Sequence, residues 1–247
     1  MIAILLSAGK GMRMYPLTAN TPKCLIDIGK GKTVLENQLD VLQKCGIKKV
    51  YIVAGYRIEQ VQAKISGHSM NGMEVEVIHN PFYDTSNNII SLWLASLIIN
   101  EPCISINGDD LFKENVINKL LDSDGEIVMT IDRKENYDSD DMLVVTDKSN
   151  VTAVGKDLDL SIANGESVGI IKYSKLGISM IKETLDNLLR DQKNHQIFYL
   201  SALQKIMDRG FPVSMCEVEP HEWAEIDFHP DVSDVRAKVD YFVESIK

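Results

Sequence analysis

The sequence predicts an α/β fold: a Rossmann-like mixed sheet, mostly parallel, flanked by helices and carrying a small antiparallel insertion in its second half. Three observations predict it. Short continuous apolar runs, such as Ile2 to Leu6, read as strands buried on both faces. These runs alternate with segments of helical period, which joins parallel strands through right-handed helical crossovers. In the second half the pattern changes to short strands separated by polar turns, as antiparallel pairing requires.

Taken in order, Ile2 to Leu6 is the first strand and runs into a glycine-rich loop. Cys24 to Ile28 reads as a further apolar strand. Thr33-Val34-Leu35-Glu36 has capping-box spacing, and Leu35, Leu39 and Leu42 follow at helical intervals until Gly46. Lys49 to Ala54 is a buried strand, Arg57 to Ser66 a polar helix and Glu74 to His79 another strand. Ile89 to Ile99 is an apolar helix, and Cys103 to Ile106 a strand ending in Asn-Gly-Asp-Asp. Glu126 to Asp132, Met142 to Thr146, Val151 to Gly155 and Ser167 to Tyr173 are the short strands of the second half. Leu176 to Arg190 and Phe198 to Arg209 read as helices, Val213 to Val218 as a strand and Asp231 to Ser245 as a last helix. No Pro/Gly/Ser-rich linker divides the chain, so residues 1–247 read as one domain with halves 1–122 and 123–247.

With 45% hydrophobic and 25% charged residues, a chain of 247 residues has ample apolar material for a core. No apolar run approaches the roughly 20 residues of a membrane span. The start, MIAILLSAGKGMRM, is too glycine-rich, and its apolar part too short, for a secretory signal. The reading is a cytoplasmic protein without membrane insertion. A formal net charge of −10 and the lack of a long basic run exclude a generic nucleic-acid surface, which needs clustered Lys and Arg. A few converging cations would still bind a small anion. Cys24, Cys45, Cys103 and Cys216 lie far apart, without metal-ligand spacing, and read as reduced core thiols. An acidic surface and apolar late helices permit a homodimer.

The first strand leads into Ser7-Ala8-Gly9-Lys10-Gly11-Met12-Arg13, then Pro16 and Thr21-Pro22-Lys23. Small residues let backbone N–H groups close onto phosphate oxygens, at the strand end where open α/β sheets bind ligands. Arg13 and Lys23 would add positive charge where negative charge grows on a leaving pyrophosphate. A glycine turn can be purely structural, and this loop has neither the P-loop ending nor the GxGxxG spacing. The order of the whole string carries the weight.

That string, LSAGKGMRMYPLTANTPKCLIDI, resembles the opening of the sugar-phosphate nucleotidyltransferase superfamily. It is especially similar to the smaller branch of phosphocholine cytidylyltransferases from bacterial surface-polymer pathways, and the resemblance extends across nearly the whole chain. It implies that Arg13 and Lys23 act catalytically on a triphosphate. Leu6, Ser7, Ala8, Gly9 and Gly11 would bind the nucleotide, with Ser7, Ala8 and Gly9 at the base.

Asp109 and Asp110 follow an apolar strand and Gly108, so both carboxylates should emerge at the sheet edge that holds the glycine loop. Asp227 follows the strand-like Trp223-Ala224-Glu225-Ile226. An aspartate at a strand end serves equally as a turn former or N-cap. The resemblance matches Gly108-Asp109 and Glu225-Ile226-Asp227, and implies that Asp109 and Asp227 hold a catalytic Mg²⁺, an ion that takes hard oxygen ligands. Asp110 does not align with the ligand position, and Glu225 would either support the ligands from behind or ligate a second ion.

Ser86, Asn87, Asn88 and Ser91 gather at a loop-to-helix junction, where they could read a base edge or cap the helix that follows. Similarity to the Asn-Asn-Ile-x-Ser-Leu stretch of the cytidylyltransferase branch implies that Asn88 and Ser91 contact CTP. Lys156 after Val154-Gly155, Glu166 before Val168-Gly169, and Asp141 in Asp140-Asp141-Met142 match positions on the family's acceptor side. Lys156 would bind the acceptor phosphate, acidity at Asp141 suits an amine, and Trp223 is a candidate wall for a quaternary ammonium. Phe198-Tyr199-Leu200 departs from the family, where an acidic residue often stands near Leu200. Phosphocholine, phosphoethanolamine, 2-aminoethylphosphonate and phosphoglutamine all stay open as acceptors.

The resemblance thus implies a CTP-dependent transfer of CMP to a small phosphorylated or phosphonate metabolite, with release of pyrophosphate, for decoration of a surface polysaccharide or lipid. The alternatives are a sugar-1-phosphate nucleotidyltransferase using UTP or dTTP, and a non-catalytic regulatory relative.

Overall fold

The computed structural model describes residues 1–67, 72–138 and 140–243. The first half contains β1 (Ile2–Ser7), β2 (Asp27–Gly29), β3 (Lys32–Thr33), α1 (Val34–Lys44), β4 (Lys49–Ala54), α2 (Ile58–Ser66), β5 (Glu74–His79), α3 (Asn88–Ser96), β6 (Cys103–Asn107), β7 (Asp110–Phe112) and α4 (Glu114–Asp122). The second half contains β8 (Ile127–Asp132), β9 (Leu143–Asp147), β10 (Asn150–Gly155), β11 (Gly165–Tyr173), α5 (Lys175–Leu188), α6 (Leu200–Asp208), β12 (Val213–Glu217), β13 (Trp223–Glu225), α7 (His229–Ala237) and α8 (Val239–Phe242).

Nine strands form one sheet in the order β5-β4-β1-β6-β11-β8-β12-β10-β9. The β5-β4-β1-β6 portion is parallel, and β8 and β12 pair in parallel beyond β11. β11 runs against both β6 and β8, and β10 runs against β12 and β9. Every residue of β1 is buried, as its unbroken apolar run requires of a strand covered on both faces. One face packs on α3, α5 and α6 around Tyr173, Ile181 and Leu203. The other packs on α1 and α4 through Leu35, Leu39, Leu42, Ile117 and Leu120. At the N-terminus of α1 the capping box forms as spaced: Glu36 N–H donates to Thr33 Oγ1 at 3.3 Å, and Thr33 N–H donates to Glu36 Oε2 at 2.9 Å.

Two predicted elements differ. Cys24 to Ile28 is not one strand: Lys23–Leu25 winds into a 3₁₀ turn after Pro22, and extended backbone resumes only at β2. The turn buries Cys24 against α1 while Ile26 and Ile28 pack into a third cluster with Met14, Leu111, Val232 and Phe242. The last predicted helix breaks at Lys238 into α7 and α8, and its predicted end at Ser245 lies outside the described residues. Among the described residues no helix is long and apolar enough to cross a membrane.

Candidate active site

β1 and β6 are neighbours in parallel register, Leu6 opposite Asn107, so the loops after them open at the same end of the sheet. The loop after β1 turns at Gly11, whose φ of +61° lies in the left-handed region. A Cβ there would also come within 3.2 Å of Lys23 Cβ. Gly11 O accepts from Met14 N–H at 3.0 Å and from Thr18 Oγ1–H at 2.8 Å, which leaves the loop's inner side free to face a cleft of about 550 Å³. Leu6, Ser7, Ala8, Gly9 and Gly11 line that cleft, with Arg13, Lys23, Asp109 and Asp227 at one side and Asn88 and Ser91 at the other.

Arg13, Lys23, Asp109 and Asp227, spread over more than 200 positions, meet directly. Lys23 Nζ lies 2.5 Å from Asp109 Oδ2 and 2.8 Å from Asp227 Oδ1, and Arg13 Nη1 lies 2.6 Å from Asp227 Oδ2. The two aspartates are coupled through backbone as well, since Ile226 N–H donates to Asp109 O at 3.1 Å. Asp231, in the first turn of α7, accepts from Asp227 N–H at 2.8 Å and Phe228 N–H at 2.5 Å and so fixes the approach to Asp227.

Asp109, Glu225 and Asp227 offer carboxylate oxygens within 4.8 Å of one another. Glu225 opens onto the cleft but is walled in by protein behind, and this desolvation, with the charges of Asp109 and Asp227, pushes its pKa up to about 8. Burial would lower the Lys23 pKa, yet the charges of Asp109 and Asp227 outweigh it and hold the ammonium protonated. Hard oxygen donors packed this closely fit a divalent cation of the Mg²⁺ type.

Asp110 corrects the expectation of two emerging carboxylates. It opens β7, is 1% exposed, and its Oδ2 has no hydrogen-bond partner. Burial first, and then the Asp109 charge, raise its pKa well above the usual carboxylate range, and its side chain forms a buried wall of the cleft rather than an emerging carboxylate.

At the start of α3, Asn87 is the N-cap, accepting from Asn88 N–H at 2.7 Å, and its amide donates to Gln196 O at 3.3 Å. Asn88 Oδ1 accepts from Tyr199 N–H at 3.0 Å, tying α3 to the start of α6. Ser91 Oγ accepts from Asn80 Nδ2 at 3.0 Å.

On the opposite side, Lys156 and Glu166 line the cleft; Lys156 Nζ donates to Asp140 O at 3.0 Å and stands 5.4 Å from the Phe198 ring centroid. Asp141 and Trp223 stand apart from the other predicted residues. They line an adjoining hollow of about 320 Å³ that shares Asp140, Glu166, Glu225 and Asp227 with the cleft. The Trp223 indole N–H donates to Asp132 Oδ2 at 3.0 Å. Burial pushes the Glu166 carboxyl up to about 7 despite its partner Lys134.

A family model described as nucleotidyl transferase matches residues 2–145, more than half of the chain. The chain belongs to the nucleotidyl transferase family. This nucleotidyl transferase is 23% identical over 253 residues to the CTP:phosphoglutamine cytidylyltransferase of Campylobacter jejuni, a match covering 94% of this chain and 98% of that one. It is 32% identical over 123 residues to the choline-phosphate cytidylyltransferase of Streptococcus pneumoniae, covering 50% and 51%. The chain spans about half the length of the bifunctional GlmU proteins it also matches, 48% for that of Methanococcus maripaludis. Its fold superposes on the inositol-1-phosphate CTP transferase from T. maritima with a TM-score of 0.79 at 21% identity, covering 100% of this chain and 97% of that one.

Sequence reasoning missed several residues of this nucleotidyl transferase's cleft and of the hollow beside it. Lys134 bridges Asp141 Oδ1 and Glu166 Oε2, both at 2.7 Å, although its run Arg-Lys-Glu-Asn reads as a solvated turn. Asn80 (bonded to Ser91), Tyr83 and Phe198 all line the cleft. Asn80 follows β5, a strand of the parallel portion that ends on the same side as β1, a position that could have flagged it; Tyr83 and Phe198 carry no comparable signal.

Proposed function

We propose that the chain transfers CMP from CTP to a small phosphorylated or phosphonate acceptor, releasing pyrophosphate. The observation that carries this reading is the meeting of Arg13, Lys23, Asp109 and Asp227 beside the glycine loop, at one wall of a cleft. CTP, rather than UTP or dTTP, is supported by the names of the relative matched over 94% of this chain and 98% of its own length and of the relative matched at 32% identity. Asn88 and Ser91 are proposed to face the base, and Ser7, Ala8 and Gly9 to receive it together with the triphosphate.

Asp109 and Asp227, with Glu225 beside them, would hold Mg²⁺, which supplies charge neutralisation of the triphosphate when bound. The rest of the chemistry falls to the chain's own groups. An acceptor phosphate is already dianionic near neutral pH, its second pKa being about 6, so it needs no general base. The obstacle is repulsion between that dianion and the α-phosphate. Lys156 would hold the acceptor phosphate in line, while Arg13 and Lys23 take up the charge that grows on the departing pyrophosphate. An acceptor oxygen bonds to the α-phosphorus as the bond to the pyrophosphate breaks, in one displacement without a covalent enzyme intermediate. The half 1–122 would bind the nucleotide and the half 123–247 the acceptor. With Asp141 paired to Lys134, the hollow beside Trp223 keeps its acidity through Asp138, Asp140 and Asp231, which suits an acceptor bearing an amine.

The test is a matrix of CTP, UTP, dTTP and GTP against phosphorylated amines, amino acids, aminoethylphosphonate and sugar-1-phosphates, with Mg²⁺, read by pyrophosphate release. Turnover with CTP and one amine-bearing acceptor is expected. Turnover only with UTP or dTTP and a sugar-1-phosphate would replace this reading with the sugar-nucleotide one. No turnover across the matrix would favour the non-catalytic relative.

A further inference from the structure

The turn between β6 and β7 carries Asp109, and one buried side chain from a different element spans it. Gln38 lies on the sheet-facing side of α1, among Leu35, Leu39 and Leu42, and is 0% exposed. Its Nε2 donates to Asn107 O and to Asp110 O, each at 2.8 Å. Those two carbonyls flank Asp109 in the chain. A single amide nitrogen carries two hydrogens, and here both are used to clamp one turn. The orientation of the amide is dictated by its surroundings, because a flipped group would set its carbonyl oxygen against two others.

Two features argue that this clamp serves geometry. The Gln38 Oε1 has no hydrogen-bond partner, although it is buried. An amide half-satisfied in an apolar row weakens the core compared with an apolar side chain of the same size. The residues it holds are also those on which the cation site is built. Glu225 pairs with Asp110 across the β7–β13 ladder, and Ile226 N–H bonds Asp109 O, so the position of the 107–110 turn sets the spacing of all three carboxylates.

We infer that Gln38 is a positioning residue, which fixes Asp109 relative to Glu225 and Asp227 and thereby sets the affinity of the site for a divalent cation. The inference rests on the proposed cation role of those carboxylates, but its readout does not need turnover.

The experiment compares the wild-type chain, Gln38→Met and a control, Leu35→Ala, which removes packing from the same helix without touching the turn. Mn²⁺ alone is titrated into each protein and the free ion counted by electron paramagnetic resonance, with thermal unfolding measured alongside. Gln38→Met is expected to remain folded, with a midpoint equal to or above that of Leu35→Ala, and to bind Mn²⁺ about tenfold more weakly than wild type, a loss of the size seen when groups behind metal ligands are removed. Leu35→Ala is expected to lose thermal stability but keep wild-type affinity. Wild-type affinity in a folded Gln38→Met would overturn the inference. Failure of Gln38→Met to fold would overturn it too, by making the clamp a folding element. Should the wild-type chain bind Mn²⁺ yet show no nucleotidyl transfer, the functional reading fails while this one is still decided.

Discussion

Lys23 is the residue on which the charge balance of the cleft turns. Its ammonium is shared by Asp109 and Asp227 at 2.5 and 2.8 Å, so it compensates the same carboxylates that would receive a cation. Replacing it with alanine should lower turnover on the order of 100-fold by removing charge opposite the leaving group, with little change in the acceptor KM. The same variant should gain more thermal stability from added Mg²⁺ than wild type does, since no ammonium competes. Steady-state pyrophosphate release and melting curves with and without Mg²⁺ check both; a larger effect on acceptor KM than on turnover would move Lys23 to the acceptor side. Glu166 offers a pH test. Its folded pKa, about 7, lies above the ordinary carboxylate value because the side chain is buried. The folded state therefore holds this proton more tightly, and stability falls as pH rises from about 4.5 to about 7, where the cost becomes complete. Glu166→Gln should accordingly be more stable relative to wild type at pH 8 than at pH 5, by on the order of 2 kcal/mol, measured by urea unfolding at the two pH values.

At the scale of elements, the junction before α3 carries two asparagines with different bonds. Both asparagines line the cleft, but the Asn87 side chain is taken up by capping the helix and holding Gln196 O, whereas Asn88 Oδ1 accepts from Tyr199 N–H. Asn87→Ala should cost about 1 kcal/mol in chemical unfolding, the usual value of a lost N-cap, and leave nucleotide preference alone. Asn88→Ala should instead raise the KM for CTP. Kinetics with CTP and UTP on both variants distinguish the roles. The regular elements themselves were readable from periodicity: Lys49–Ala54 and Glu74–His79 are strands over the predicted spans, and the Thr33–Glu36 box starts α1. Elements too short for a period were not. β7, with three residues, has no repeat to detect, and α4 was passed over although Val116, Ile117 and Leu120 form its buried face.

For the molecule as a whole, β11 matters most, because it runs against the parallel portion and joins the two halves of the sheet. Its pairing with β8 is irregular between Ser167 and Ile171, and Gly169 there has a φ of +81°. A Cβ on Gly169 would fall 2.1 Å from Asn107 Nδ2 and 2.8 Å from Asp110 Oδ2. β11 thus packs straight against the turn that carries Asp109. Gly169→Ala should destabilise the chain by about 2 kcal/mol or more, from strained backbone and forced displacement together, and lower turnover through Asp109 as well. Thermal unfolding and pyrophosphate release measured on the same preparation test this; loss of stability with unchanged turnover would show that the turn absorbs the shift without moving Asp109.

The sequence by itself determined the sheet's strands, the glycine loop between a strand and its cations, and which carboxylates follow strand ends. Those are local properties: side-chain period, glycine freedom and chain order act over a few residues and leave their mark on the string. Only the tertiary structure decided that Asp110 is buried while Asp109 faces the cleft, that Lys134 neutralises Asp141 and Glu166, and that Gln38 clamps a turn about 70 positions away. Burial and charge pairing depend on distances between elements remote in the chain, and no local pattern encodes which of two adjacent aspartates points inward.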